Sequence, residues 1–181
     1  MNPLEVIKRY YPADSEACRI LVEHSRDVAD KALRIGRAHP EMNLDLAFVE
    51  EAAMLHDIGM FLCNAPGIDC HGEADYICHG CLGADLMRKE GYPRHALVCE
   101  RHTGTGISPE MIVAEKLPLP SSRELRPQSL EEQLICFADK FYSKTKLGKE
   151  KPVEKVRQSV AKYGEECVLC FDNWCKLFLD E

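Results

Sequence analysis

Helical periodicity is the feature of this sequence that most limits its possible folds. Apolar residues recur three or four positions apart along most of the chain; one segment contains Ile20, Leu21, Val28, Ala32 and Ile35. This spacing places apolar side chains on one face of an α-helix, whereas a half-buried strand shows strict alternation. No segment of the sequence alternates in that way. The sequence therefore predicts an all-α fold.

Capping and helix-breaking residues divide the chain into separate helices. The long helix near the N-terminus should end around residue 38, because the residue before Pro40 disfavours helical geometry. Asn43 is expected to cap the next helix. Four prolines between residues 106 and 128 predict an irregular segment with room for one short helix. The longer predicted helices cover residues 15–38, 44–57, 79–90, 93–104, 129–142, 152–163 and 165–179.

The length and composition suit one globular domain. A chain of 181 residues with 45% hydrophobic and 29% charged residues can bury a full core. We expect residues 1–181 to form a single domain, closed by the helices in 152–179. No apolar run approaches the ~20 residues of a membrane helix, and the N-terminus has no secretion signal. These features predict a cytoplasmic protein with no membrane partner, whose ten cysteines stay reduced.

The net charge of -7 limits the class of partner. An acidic protein repels a phosphate backbone, so we do not expect extended nucleic acid to bind. A small anion remains possible, because bound metal cations would dominate the local field.

His56 and Asp57 are adjacent at the end of an apolar predicted helix. Neighbouring helical residues point about 100° apart, so one metal beyond the helix end could contact both side chains. Imidazole and carboxylate together suit Fe, Mn, Zn, Co or Ni better than Ca. An isolated pair of this kind is more often a helix terminus in which the histidine interacts with the helix dipole. Other donors must therefore decide between the two interpretations.

Further histidines and a carboxylate stand at comparable positions in other predicted helices. His24 lies mid-helix, His79 opens the third long helix, and His102 closes the fourth. Asp139 follows an apolar run in which an unpaired buried carboxylate would be costly. Helical proteins build metal sites in their cores from such inward-facing donors. We predict one or two divalent metals (Fe, Mn, Zn, Co or Ni) on His24, His56, Asp57, His79, His102 and Asp139.

The order of these residues resembles the HD superfamily of metal-dependent phosphohydrolases. The segment Leu55-His-Asp-Ile-Gly59 is similar to the HDIG subgroup, and His79 and His102 match subgroups that bind two metals, such as diadenosine tetraphosphate hydrolases of HD type. The likeness is greatest to small uncharacterised prokaryotic HDIG proteins that share a Glu-Arg-His-x-Gly-x-Gly-Ile stretch, here residues 100–107. It covers about residues 23–146.

The resemblance implies roles for the predicted ligands. The first metal would be held by His24, His56, Asp57 and Asp139. Asp57 would bridge to a second metal held by His79 and His102, and water or hydroxide between the metals would be the nucleophile. Two cations about 3.5–4 Å apart favour an in-line displacement at phosphorus. The implied function is a metal-dependent phosphomonoesterase or phosphodiesterase acting on a small phosphorylated metabolite, with a nucleotide as the favoured substrate.

One departure from the HDIG pattern affects the expected phosphate contact. Many HDIG proteins have Lys or Arg directly after the glycine, where this chain has Met60. Lys140, beside Asp139, is therefore the first candidate for a catalytic phosphate contact, although it could equally be a solvated helix-end lysine. The candidates that rank below it are Arg101, Lys144 and Lys146.

Two other functions remain open from the sequence. One is a di-iron oxygenase of the HD type, because the same ligand set is similar to the di-iron site of myo-inositol oxygenase. The other is a non-catalytic, metal-bound ligand sensor with a degraded active site. A zinc ribbon at Cys78/Cys81 and Cys167/Cys170 is disfavoured, because both pairs fall in predicted helices. His71 is expected on a surface loop near the site, and His39 and His95 are expected to be exposed.

Overall fold

The predicted all-α architecture is confirmed. The computed structural model describes residues 1–179, in which the α-helices are α1 (Pro3–Ile7), α2 (Glu16–Ala38), α3 (Leu46–Leu55), α4 (His79–Lys89), α5 (Pro93–Arg101), α6 (Pro109–Ala114), α7 (Leu130–Asp139), α8 (Val153–Ala161) and α9 (Glu165–Phe178). Short 3₁₀ turns cover Pro40–Met42, Ile58–Leu62, Pro66–Ile68 and Tyr76–Cys78. Two antiparallel two-residue strands, β1 (Asn64–Ala65) and β2 (Cys70–His71), lie between α3 and α4.

Side-chain caps set the starts of the longer helices. Ser15 caps α2, where the sequence left Asp14 and Ser15 as alternatives, and Ser129 caps α7 by accepting a hydrogen bond from the backbone N–H of Glu132. The prediction that Asn43 caps α3 is wrong. Asp45 caps that helix, whereas Asn43 adopts a left-handed conformation with φ 50° at the end of a 3₁₀ turn. Aspartate is an equally good cap, so the local sequence did not distinguish the two positions.

The main core forms where α2, α3 and α7 pack together and α9 covers α7. Leu21 and Val28 of α2, Leu55 of α3 and Phe137 of α7 are completely buried, and Phe171 of α9 packs against the Phe137 ring. Each such side chain contributes about 1.5–3 kcal/mol to folding. This core fixes the positions of α2, α3 and α7, each of which carries predicted metal ligands.

Close backbone contact joins the turn after α3 to α4. A Cβ atom built on Gly59 would lie 2.3 Å from the carbonyl oxygen of His79 and 2.4 Å from the amide nitrogen of Gly83. A Cβ atom on Gly80 would lie 2.6 Å from the carbonyl oxygen of Cys99 in α5. Only glycine allows these approaches. They hold the start of α4 against the end of α3, where His56 and Asp57 stand.

Two histidines expected at the surface are instead buried. His39 ends α2, and its ring contacts the Glu41 carboxylate at 3.0 Å. His95 packs edge-on against Phe48 and contacts the Glu51 carboxylate at 3.2 Å. Both rings are thus covered by tertiary packing that the local sequence does not reveal.

All ten cysteines are free thiols. Within residues 1–179, no helix has the length and apolar character required to cross a membrane.

Candidate metal centre

Three helices present predicted ligands at their C-terminal ends. His56 is the C-cap of α3, and Asp57 follows it at the start of the 3₁₀ turn. His102 is the C-cap of α5, and Asp139 is the last residue of α7. The core packing of these helices brings their ends to one point, so residues distant in the sequence become neighbours.

The other two predicted ligands approach from α2 and α4. His24 lies in the middle of α2 and is 1% exposed. His79 is the first residue of α4, beside the close contact that Gly59 makes with that helix. The structure therefore brings together all six residues that the sequence selected.

Backbone carbonyl oxygens fix the orientation of three of the imidazole rings. In each case the ring Nδ1 lies against the carbonyl oxygen of the residue three positions earlier. A carbonyl oxygen only accepts hydrogen bonds, so Nδ1 must carry the donated proton, and Nε2 is directed away from the helix. The pairs are His56 with Ala53 at 2.6 Å, His79 with Tyr76 at 2.6 Å, and His102 with Cys99 at 2.7 Å.

The first ligand group contains two histidines and two carboxylates. Nε2 of His24 lies 2.9 Å from Asp139 Oδ1 and 3.3 Å from Asp57 Oδ2. Nε2 of His56 lies 3.0 Å from Asp57 Oδ2 and 3.4 Å from Asp139 Oδ1. Two imidazole nitrogens thus face the same two carboxylate oxygens.

The second ligand group uses the other oxygen of Asp57. Asp57 Oδ1 lies 3.1 Å from Nε2 of His79 and 3.3 Å from Nε2 of His102. The two ring nitrogens are 3.0 Å apart. Each ring already uses Nδ1 as a donor, so two neutral rings would place lone pairs against each other. A cation between them would relieve this repulsion.

The donor atoms fit divalent metal ions in both number and chemistry. Both oxygens of Asp57 and Nε2 of His56 are fully buried and lack any partner with hydrogen-bond geometry, despite their close neighbours. Buried polar atoms of this kind are rare unless a ligand satisfies them. Among residues 1–179, the first and second ligand groups are the two sets of three or more donors that lie close enough together to hold a metal ion. Neither group includes a cysteine.

Electrostatics differ between the two groups. Burial opposes charge on His56, but the neighbouring charges of Asp57 and Asp139 raise its pKa to about 9. Burial lowers the pKa of His102 to about 4, with a further contribution from the charge of His56. Burial would raise the pKa of Asp57, yet the charges of His56 and Lys144 hold it well below its usual value. Asp57 is therefore an anion that can face cations on both sides.

Two lysines neutralise the carboxylates from the outer side of the centre. Lys140 Nζ lies 2.7 Å from Asp139 Oδ2 and donates to the His102 carbonyl oxygen at 3.1 Å. Lys144 Nζ lies 2.6 Å from Asp57 Oδ2. The sequence ranked Lys144 below Lys140, but it is Lys144 that contacts the carboxylate shared by both ligand groups. The spacing of Lys144 from Asp139, one helical turn and a half, gave no sign of this contact.

A cavity of about 570 Å³ opens beside the lysines. Asp139, Lys140 and Lys144 line it, as does the loop 103–107. His71 does not line the cavity; its exposed ring contacts Asp69 at 3.0 Å. Arg101 also lies elsewhere, paired with Glu132 at 3.0 Å. The cavity places space for a small ligand directly against the candidate metal centre.

Comparison with known proteins identifies the family. The sequence profile of the HD domain matches residues 21–143, which contain all six predicted ligands. The chain belongs to the HD domain family. Its membership confirms the resemblance inferred from the HD motif, and HD domains bind divalent metals. No solved structure gives a significant match to this HD protein.

Several relatives are similar to most of this HD protein. An uncharacterised protein of Methanocaldococcus jannaschii is 32% identical over 129 residues, which is 70% of this chain and 68% of the relative. Proteins named tRNA (cytidine(56)-2'-O)-methyltransferase from Thermoplasma volcanium and Picrophilus torridus are each 30% identical, over 77% and 79% of this chain. The chain spans only 35% and 40% of the length of those two methyltransferases.

Proposed function

We propose that this HD protein is a metal-dependent phosphohydrolase acting on a small phosphorylated metabolite, with a nucleotide as the favoured substrate. The observation that carries the proposal is the division of Asp57 between two ligand groups. Oδ2 faces His24 and His56, while Oδ1 faces His79 and His102. A carboxylate shared in this way is suited to hold two cations side by side, and such a pair can stabilise both the attacking and the leaving oxygen in hydrolysis of a phosphate ester.

The protein residues would each have a distinct task. Asp57, with His24, His56 and Asp139, would hold one ion, and the same Asp57, with His79 and His102, would hold the other. Bound divalent ions would supply Lewis-acid stabilisation of charge on phosphorus and lower the pKa of a water molecule. The protein fixes the ligand orientations in advance through backbone carbonyls and excludes bulk water from the donor atoms.

Lys140 is proposed to contact the substrate phosphate from the cavity wall. Its ammonium is half-buried between Asp139 and the cavity, where an incoming oxyanion would find a positive charge already in place. Replacing Lys140 by Met should raise KM or lower kcat for an established phosphorylated substrate while metal content stays unchanged. Unaltered kinetics would mean that Lys140 acts only as the counterion of Asp139 and does not contact the substrate.

The test combines metal analysis with a substrate screen. Protein purified without chelator is analysed for bound metals, then assayed with Mn²⁺, Co²⁺, Fe²⁺ and Zn²⁺ against panels of phosphomonoesters and phosphodiesters. Phosphate release that depends on metal and is lost in Asp57→Asn supports the proposal. Oxygen uptake in the iron-loaded protein without phosphate release would replace it with the oxygenase chemistry that the same ligands can support.

The names of two relatives supply a second candidate, which is action on tRNA. The match covers less than half of each methyltransferase, so the shared part need not carry methyl transfer. The buried N/O donor centre supports metal-ion chemistry, and the net charge of -7 disfavours a long polyanion. Incubation with tRNA and labelled S-adenosylmethionine tests this candidate; methyl transfer that does not require Asp57 would favour it over hydrolysis.

A further inference from the structure

Charge and polarity are unevenly distributed around the cavity beside the metal centre. Three lysines line it, and their contacts place them near the donor residues: Lys140 contacts Asp139, Lys144 contacts Asp57, and Lys151 contacts the backbone of Lys140. The rest of the lining is mainly apolar and includes residues of α6 and α8, with Glu115 as a further acidic residue. A ligand that carries a negative charge and an apolar group would match this lining.

Lys151 differs from the other two lysines because no described carboxylate lies within ion-pair distance of it, although the charge of Asp139 acts on it from further away. Lys140 pairs with Asp139 and Lys144 pairs with Asp57. Within residues 1–179, Lys151 Nζ instead donates to the carbonyl oxygen of Lys140 at 3.0 Å and forms no ion pair. Its side chain is half-buried, and desolvating an unpaired ammonium costs free energy. Of the three cavity lysines, Lys151 is therefore the one without an ion-pair partner among the described residues.

The backbone holds Lys151 in this position. Its N–H donates to the carbonyl oxygen of Phe141 at 2.8 Å, which ties the residue to the end of α7. Burial lowers the pKa of Lys151, and the charges of Lys140 and Lys144 add to this shift, while the charge of Asp139 opposes it. An anion in the cavity would offset both effects, since it would pair with the ammonium and reduce the repulsion between the lysines.

Apolar side chains form much of the remaining lining of the cavity. They include Met111 of α6, Val160 of α8, Ile77 and Ile107. Tyr163, directly after α8, also lines the cavity and is 67% exposed. An aromatic ring can pack against such a surface, whereas a polyol would lose hydrogen bonds to water there.

We infer that Lys151 binds the phosphate of a monoester whose organic part is an aromatic group packed against Met111 and Tyr163. This inference rests on the proposed function and specifies its substrate class. The volume of about 570 Å³ lies in the range of small-molecule sites. The aromatic group is either a simple aryl ring or a nucleobase, since both present a flat apolar face.

Equilibrium binding tests the inference without relying on turnover. Calorimetric titrations with inorganic phosphate, glycerol 1-phosphate, phenyl phosphate and adenosine 5'-monophosphate are carried out on the full chain, with chelator and again with Mn²⁺. Lys151→Met should weaken binding of all four probes by about tenfold, as loss of a charge-assisted contact predicts. Lys151→Arg should retain most of the affinity. Lys149→Met removes a nearby exposed lysine outside the cavity and should have no effect.

A matched pair of variants in α6 tests the apolar part of the cavity lining. Met111→Gln keeps the side-chain length and should weaken phenyl phosphate and adenosine 5'-monophosphate several-fold, leaving inorganic phosphate unchanged. Val113→Gln alters a residue of the same helix that is 72% exposed and should change neither. Tighter binding of phenyl phosphate than of adenosine 5'-monophosphate would indicate a simple aryl group, and the reverse order would indicate a nucleoside.

The results separate this inference from the proposed function. Wild-type protein that binds none of the probes at millimolar concentration overturns the inference, as does equal affinity in Lys151→Met and Lys149→Met. If the protein releases phosphate in a metal-dependent reaction but the Lys151 and Met111 variants bind the probes as wild type does, the inference is overturned and the proposed function stands. Aromatic monoester binding that responds to these variants, without hydrolysis by any metal form, would support it and refute the phosphohydrolase.

Discussion

Replacement of Gly59 by alanine should disturb the metal centre through the backbone alone. The added Cβ atom would lie 2.3 Å from the His79 carbonyl oxygen, 2.4 Å from the Gly83 amide nitrogen and 2.8 Å from the Gly83 Cα atom. Ordinary contact begins at 3.4 Å, so the start of α4 would have to retreat by about 1 Å. No rotamer change can relieve the clash, because all three neighbours are backbone atoms.

The expected cost follows from the rigidity of this contact. Overpacking a core costs about 1–3 kcal/mol, and a clash with helix backbone belongs at the upper end of that range. We therefore expect Gly59→Ala to lower the free energy of unfolding by about 3 kcal/mol. His79 begins α4, so the same displacement moves its ring relative to Asp57 and His102. Metal binding by this second group should weaken even where the protein remains folded.

Urea denaturation in the presence of chelator measures the stability change, and metal analysis of the folded variant measures the ligand change. Gly67→Ala is the matched control, because a Cβ atom there meets nothing within 4 Å and its φ is not positive. It should be neutral or stabilising by less than about 1 kcal/mol. If Gly59→Ala unfolds at the same urea concentration as wild type, the close approach of α4 is not a constraint and the reasoning fails.

Four other variants test separate parts of the site and fold. Asp57→Asn should remove most bound metal of both groups and abolish turnover, as measured by metal analysis and phosphate release. His79→Ala should remove about one metal equivalent and leave the other in place, with folding little changed. Lys144→Met should lower the Tm of the metal-free protein and enlarge the rise in Tm on adding Mn²⁺, because Asp57 loses its nearest cation. His95→Gln should flatten the fall in stability from pH 7.5 to 5.5 by at most about 1 kcal/mol, measured by urea denaturation in chelator.

The sign of the His95 effect follows from its burial. Burial lowers its pKa in the folded protein, so between that pKa and about 6.5 the unfolded chain binds a proton that the folded chain does not. The contribution of His95 to stability is therefore complete above about pH 6.5 and is lost as the pH falls below that value. His71→Gln, at an exposed ring, serves as control. Equal pH profiles of stability for His95→Gln and wild type would contradict this prediction. For Lys144→Met the control is Lys146→Met, and an equal rise in Tm on adding Mn²⁺ in these two variants would contradict the prediction for Lys144.

Local signals were sufficient for the helices and the ligand residues. The helical period and a cap at Asp14 or Ser15 predicted α2, and the sequence placed His56 and His102 at helix ends where the structure has them. The helix of Asp139 was predicted to run on to residue 142, whereas α7 ends at Asp139. Such positions depend on hydrogen bonds and caps within a few residues. Such positions can therefore be predicted from sequence.

Contacts between residues distant in the sequence could not be predicted in the same way. Lys144 reaches Asp57 only because the chain turns sharply after α7, and His95 is buried only because α5 packs against Phe48. The β1–β2 pairing has two residues in each strand, too few to show an alternating pattern. The role inferred for Lys151 depends on a backbone hydrogen bond to Phe141 that no local motif indicates.

The arrangement of helix ends explains why the centre attracts cations. The C-terminal ends of α3, α5 and α7 meet there, and each contributes partial negative charge from carbonyl oxygens without helical partners. The Asp57 and Asp139 carboxylates add two full charges in the same buried volume. In the protein alone, the opposing charge comes from His56, Lys140 and Lys144, whose charged groups must leave water to supply it. Divalent ions would place more charge closer to the same oxygens, so metal binding and stability of the helix ends should rise together.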